Sequence, residues 1–185
     1  MKKIALAAIA ALSVTTAAQA STPQKGDLTG DIGIGVGAMD GGGSVAAFTQ
    51  RLAIEYGIAN FNMLNSDWTA TIGFQVNNGV HSANHSTQDD ITFMPTASIH
   101  HGFTDRIDGY ATLGLGFGLL NSHYSYKGFS DGATTASFAM AFDLGARYWI
   151  NSTLAVNAQF GLVSATWKNS YGSYNILSAG ITYKF

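Results

Sequence analysis

The sequence predicts an all-β fold: an eight-stranded antiparallel transmembrane up-and-down β-barrel with short periplasmic turns and longer extracellular loops. Three observations predict it. Apolar residues fall on every second position through eight segments, the period of a strand with one apolar face. Charged residues make up only 11 % of the chain, against about 25 % in ordinary globular domains, too few to cover a water-facing surface. No run of about 18 apolar residues occurs, so a spanning helix is excluded and a closed barrel remains as the way to satisfy the backbone inside a bilayer.

Taken in order, a segment over about 28–38 turns Ile32, Ile34, Val36 and Ala38 outward and Asp31, Gly33, Gly35 and Gly37 inward. The next, about 47–58, has Phe48, Leu52, Ile54, Tyr56 and Ile58 out and Thr49, Arg51, Ala53 and Glu55 in, with Gln50 on the outward face near a rim. The third, about 67–78, presents Trp68, Ile72, Phe74 and Val76 to lipid and Thr69, Thr71, Gln75 and Asn77 to the interior. The fourth, about 91–103, puts Thr92, Met94, Thr96, Ser98 and His100 inside. His101 faces out, and Pro95 predicts a bulge or a locally unpaired position because it cannot donate a ladder bond.

The fifth segment, about 109–120, alternates Leu113, Leu115, Phe117 and Leu119 with Tyr110, Thr112 and three glycines. The sixth, about 136–150, alternates Phe138, Met140, Phe142, Leu144 and Tyr148 with Ala139, Ala141, Asp143 and Arg147. The seventh, about 153–165, sets Val156, Phe160 and Leu162 against Asn157, Gln159 and Gly161, and the eighth, about 174–185, closes the cylinder. Links near 59–66, 104–108 and 150–153 read as compact turns. Those near 39–46, 79–90, 121–135 and 166–173 read as longer loops rich in Gly, Ser, Asn and His.

The N-terminus carries its own pattern. Lys2 and Lys3 precede an apolar core from Ile4 to Leu12, and Ala18-Gln19-Ala20 is a cleavage site, so residues 1–20 read as a secretory signal peptide and 21–185 as the barrel domain. No cysteine follows the cleavage site, which argues against a lipid-anchored lipoprotein, and no disulfide or thiol chemistry is available. The chain counts 9 Lys and Arg against 11 Asp and Glu, and removing Lys2 and Lys3 makes it more acidic, which argues against a nucleic-acid partner. No cofactor motif is present, and both termini are expected in the periplasm. With no globular segment expected beyond Phe185, peptidoglycan binding is not expected.

Asp31, Arg51, Glu55, Asp143 and Arg147 all fall on inward positions of their segments. An eight-stranded barrel has an interior just wide enough to be filled by side chains. These five are therefore expected to form a lumen ion network across strands, and Arg51 and Glu55, four residues apart on one strand, to find their partners on neighbouring strands. Such a network reads either as a proton or ion path or as a structural plug. Passage of large solutes is not expected.

Two loop constellations suggest chemistry. His81, His85, Asp89 and Asp90 supply imidazoles and carboxylates for a divalent metal, though H-x-x-x-H in a loop does not itself align the ligands. Tyr124, Tyr126, Phe129, Trp167 and Tyr171, interleaved with Gly and Ser, read as a recognition surface or an interfacial girdle, because rigid rings supply contact area at low entropic cost.

The segment Leu144-Gly145-Ala146-Arg147-Tyr148-Trp149, the ending Tyr183-Lys184-Phe185 and the signal peptide together resemble the small outer-membrane β-barrel family. That family includes opacity-type surface proteins and the barrel domains of OmpA-like and OmpX-like proteins. The resemblance covers the mature chain. It implies a monomeric, non-enzymatic surface protein of a Gram-negative outer membrane that supports envelope structure and adhesion through its loops. It also implies lipid and lipopolysaccharide as surroundings, and Tyr183 and Phe185 as an assembly signal read by the barrel assembly machinery and periplasmic chaperones. His123-Tyr124-Ser125 resembles the His-x-Ser motif of outer-membrane lipid A deacylases, implying a lipid A-modifying hydrolase as an alternative. Here the motif lies on the fifth segment rather than the penultimate one, with no acid obviously placed.

Overall fold

The computed structural model describes residues 22–40, 45–83, 86–126, 129–167 and 170–185. The predicted signal peptide and its cleavage site lie outside the described residues. Eight strands follow one another: β1 (Leu28–Asp40), β2 (Val45–Met63), β3 (Ser66–Ala83), β4 (Ser86–Gly102), β5 (Ile107–Tyr126), β6 (Phe129–Trp149), β7 (Leu154–Trp167) and β8 (Ser170–Lys184). Each pairs antiparallel with the next, and β8 pairs with β1 to close the ring.

The two-residue alternation fixes which face meets lipid. Ile32, Ile34, Leu52, Leu113, Leu115, Phe117, Phe138 and Leu177 are exposed on the outer wall, while their sequence neighbours Asp31, Arg51, Thr112, Ser137 and Ser178 are buried inside. A one-residue slip would move every one of these charges into hydrocarbon, so the pattern specifies the register strongly.

The structure departs from the sequence reading at the hairpins. The stretches 79–90 and 121–135 are mostly strand rather than loop: His81 pairs with Gln88 and Ala83 with Ser86, and β5 and β6 stay in register out to Tyr126 and Phe129. Likewise β7 and β8 pair as far as Trp167 and Ser170. Extending the ladder satisfies backbone groups that a loop would leave to water. Above the membrane neither face needs to be apolar, so the hydrophobic alternation stops before the strand does.

At the opposite end Ala59–Met63 also pair, leaving Leu64 and Asn65 as a two-residue turn at φ 54° and 58°. Both positive angles match the turn that fits strand twist in tight hairpins. The bulge sits at Gly57/Ala59 on β2. Pro95 holds its register against Phe74 of β3, and the pairing with β5 is interrupted between Phe93 and Thr96 without a shift, so the unpaired position is local.

Candidate functional site

The lumen is filled in layers that the strand register stacks along the barrel. Nearest the short turns lie Trp149 and Ala155, both fully buried. Above them is a charged layer centred on Arg147. Its Nη2 donates to Asp31 Oδ2 at 2.9 Å and to Glu55 Oε2 at 2.6 Å, and its Nη1 lies 3.8 Å from Asp108 Oδ2. Arg147 stands on β6 while Asp31 and Glu55 stand on β1 and β2, so the strongest pairs span the lumen. The expectation of a neighbouring-strand partner is corrected for Glu55, because the interior is narrow enough for the Arg147 guanidinium to reach it from the opposite wall. Arg51 keeps the expected arrangement, 3.6 Å from Asp31 across the β1–β2 ladder.

Neutral donors complete the layer. Asp31 Oδ1 accepts from Asn157 Nδ2 at 2.6 Å and from the Thr182 hydroxyl. Glu55 accepts from Ser98 Oγ at 2.9 Å. Tyr110 lays its ring 4.6 Å from the Arg147 guanidinium carbon and donates its hydroxyl to Gln159 at 2.9 Å. That ring occupies the space above Gly145, where an added Cβ would meet Tyr110 Cζ and Oη, so the two residues are matched in size.

Two members of the layer were not assigned to it from sequence. His100 is buried with Nδ1 3.4 Å from Asp108 Oδ2 and Nε2 3.8 Å from Glu55 Oε2. Asp108, read as part of a turn, is buried at the start of β5 opposite Arg147 in the ladder. The inward position of His100 was a readable signal; for Asp108 the signal was its even spacing from Tyr110 and Thr112. Asp143 departs from the expected set. It lies one inward position above Gly145, its carboxylate accepts from Gln75 Nε2 at 3.2 Å, and no cation lies within ion-pair distance of it among the described residues. An amide shell replaces the salt bridge.

Above Asp143 the lumen turns apolar. Met94, Ala139, Ala141, Val163 and Ile176 form one buried cluster, and a Cβ added at Gly114, beside Ala141 in the ladder, would come into contact range of Met94 and Ala141. Charged and apolar layers in series leave side chains where a water column would run.

The hairpin residues do not converge. His81 and Gln88 pair on the inward face, Asp90 is buried inside, and Asp89 alternates to the outer face opposite Val80. Asp89 and Asp90 thus cannot share one ion with His81, which corrects the four-residue metal set; His85 lies outside the described residues. No group of three His, Cys, Asp or Glu able to hold a metal occurs among the described residues. His123 and Ser125 share the outer face of β5, paired with Gly132 and Ser130. Asp131, paired with Tyr124, alternates to the other face and instead accepts from the Gly132 amide at 2.9 Å. Tyr124 is half exposed on the inner face of the same hairpin. The side chains of Tyr126, Phe129, Trp167 and Tyr171 lie outside the described residues, although their backbones pair near the hairpin tips.

A family model for the outer membrane protein beta-barrel domain matches residues 4–185. The chain belongs to the outer-membrane β-barrel family. This outer-membrane barrel has the fold of Ail, the attachment invasion locus protein of Yersinia pestis. The TM-score is 0.58 at 16 % identity over 88 % of this chain and 100 % of that one. It also has the fold of Neisserial surface protein A, with a TM-score of 0.63 at 13 % identity over 85 % of this chain and 97 % of that one. A search of curated proteins finds no match. Membership places the exposed Ile, Leu and Phe of the outer wall in hydrocarbon. At the turn end of that wall Tyr183 and Phe185 meet edge to face at 5.0 Å, and the Phe185 amide donates to Leu28 O at 2.9 Å, pinning the last residue to β1.

Proposed function

We propose that this outer-membrane barrel is a non-enzymatic surface protein that supports envelope structure and mediates adhesion through its long hairpins, with both termini in the periplasm. The observation that carries the reading is the extent of β5–β6. Pairing continues past the last large outward apolar residue, Leu119, to Tyr126. At about 3.3 Å per residue those seven further positions carry the hairpin roughly 23 Å along the strand direction. A ladder this long, edged with His, Ser, Thr, Asn and Tyr, lifts a semi-rigid polar and aromatic surface off the membrane.

The filled lumen supports a structural role over transport, since large ions or solutes would have to displace both the Arg147 layer and the Met94 layer. Asp131 alternates away from His123 and Ser125, so it does not orient that histidine as the acid of a hydrolytic triad would. Shortening β5–β6 to a turn between Leu119 and Ala136 tests the proposal. Attachment of cells expressing the shortened barrel to host cells or abiotic surfaces should fall to background while the gel shift on boiling persists. Full attachment by the shortened barrel would overturn the adhesive role.

Tyr183 and Phe185 are proposed as the contact read by the barrel assembly machinery, with periplasmic chaperones as earlier partners and a monomer as the product. Phe185→Ser should lower the amount of assembled barrel in outer membranes, and unchanged surface levels would refute this.

A further inference from the structure

Residues 22–27, which precede β1, cross the mouth of the barrel at the turn end. The Gly26 amide donates to Gly57 O at 2.8 Å and the Gly57 amide to Asp27 O at 2.9 Å. The Lys25 amide donates to Asn60 Oδ1 at 2.9 Å, and Asn60 Nδ2 returns a bond to Gln24 Oε1 at 3.0 Å. Thr22 then reaches β4, where a Cβ added at Gly102 would strike its hydroxyl. In the closed ring β4 stands three strands from β1, so the segment spans the opening. Pro23 is buried, while Gln24, Lys25 and Gly26 are exposed. We propose that this segment is a releasable strap that governs access of water to the Arg147 layer, with Gly26 as its hinge and the Asp27–Lys184 pair as its latch. The proposal rests on the filled lumen and not on the adhesive role.

Glycines make room for the closed position. Gly57 follows inward Glu55 by two residues and Gly102 follows inward His100 by two, so both face the lumen. A side chain at Gly57 would strike Gln24 O. Thr22, seated at Gly102, therefore lies one inward position below the layer that holds His100 and Asp108. The latch reaches a second wall. Asp27 Oδ2 accepts from the Gln24 amide at 2.8 Å and lies 3.3 Å from Lys184 Nζ, which stands 5.3 Å from the centre of the Trp149 ring. One carboxylate thus ties the strap to the floor of the lumen.

The strap is lightly held. Its bonds to β2 are polar and its ion pair is partly exposed, where water competes for both partners. Gly26 sits at φ 94° with open space around it, and glycine reaches that angle and the extended range almost equally well, so the backbone pivots there. Closing also leaves the Trp149 indole N–H fully buried with no acceptor among the described residues. Water admitted under a lifted strap would supply one, which offsets part of what closing gains.

The chain has no cysteine, so a disulfide can lock the strap on a clean background. A Cβ at Gly102 would lie 3.6 Å from Thr22 Cβ, within the range that a disulfide needs. The test is Thr22→Cys with Gly102→Cys in the full barrel, with Trp68→Phe and Trp167→Phe leaving Trp149 as the one indole. Acrylamide quenching then reads access to the lumen floor. Quenching should be weak with the pair oxidised, rise several-fold on reduction, and rise further in Gly57→Leu, whose side chain displaces the strap. Asp27→Asn should move the reduced protein toward the Gly57→Leu value, and an unchanged value refutes the latch. Equal quenching in the oxidised and reduced states overturns the release. Failure of the pair to oxidise overturns the closed position. If Gly57→Leu does not assemble, hydrogen exchange of the wild type decides. The Gly26 and Gly57 amides should exchange at least about tenfold faster than the Ile54 amide of the same wall, as local opening allows. Oxidising the cysteine pair should slow them to the Ile54 rate. Wild-type rates already equal to that of Ile54 would refute the strap.

Discussion

The two filled layers of the lumen solve the same problem in opposite ways. Around Arg147, three carboxylates and two guanidiniums form ion pairs, and Arg147 donates hydrogen bonds across the ring to Asp31 and Glu55. Around Met94, five apolar side chains meet in one buried cluster. The difference shows in what each layer tolerates. An ion-paired layer fails when a single partner is lost, because the remaining charges stay buried, whereas an apolar layer fails in proportion to the volume removed. The ionic layer joins side chains of β1, β2, β5 and β6; the apolar layer joins side chains of β4, β6, β7 and β8.

The sharpest way to break this contrast is at the hub. Arg147→Met leaves buried Glu55 and Asp108 without a guanidinium and Asp31 with Arg51 alone, and should cost about 3–5 kcal/mol, read from urea unfolding of the barrel in lipid vesicles. Replacing Asp31, Glu55 and Asp108 by amides in the same variant should return part of that loss. A cost below about 1 kcal/mol would show that water already screens the layer and that it is not dry.

Met94→Ala tests the apolar layer. The expected loss is about 2 kcal/mol, the low end for removing a buried Met, because its neighbours Ala139 and Ala141 are small and leave few contacts to lose. Its second readout is conductance in planar bilayers. Thinning the apolar layer should raise small-ion leakage above the wild type, since a hydrophobic constriction gates by dewetting. Unchanged leakage would assign the seal to the Arg147 layer instead.

Gly145→Ala acts on the boundary between the layers. The added methyl meets the Tyr110 ring, which itself packs on Arg147, and overpacking of this kind costs about 1–3 kcal/mol. Tyr110→Leu in the same background should relieve the clash and recover stability. If Gly145→Ala is neutral, the Tyr110 ring moves freely and does not brace Arg147.

Much of this fold was legible because period-2 hydropathy and charge placement report the same thing. The inward positions of Asp31, Arg51, Glu55 and Arg147 follow from the alternation that sends Ile32, Leu52, Ile54 and Tyr148 to lipid. What the alternation cannot report is distance across the ring. Register names a residue's neighbours on adjacent strands, so the Arg51–Asp31 contact was within reach of sequence and the Arg147–Glu55 contact was not. Hairpin length was hidden for a different reason. Once both faces are wet, strand and loop have similar composition, and Asn78, His81, Ser82 and Thr87 carry no signal of their pairing. Asp108 was hidden by proximity to the Asp105–Arg106 turn, and Asp143 by an amide partner, Gln75, that only the closed ring brings near.

The smallest effect is expected where the two layers have no reach. His81 lies in the β3–β4 extension, partly exposed and paired with Gln88, and Asp89 opposite Val80 faces away from it. His81→Ala should change stability by no more than about 0.5 kcal/mol, the range for surface substitutions free of special contacts. It should also leave zinc titration of the barrel unaltered, because alternation splits the carboxylates of Asp89 and Asp90 between two faces and denies an ion its ligand shell. A zinc affinity lost in His81→Ala would require the hairpin to untwist or unpair when metal binds. The long ladder would then be a mobile binding element rather than a rigid mast, and the contrast between a braced barrel and its extension would move up to the hairpin itself.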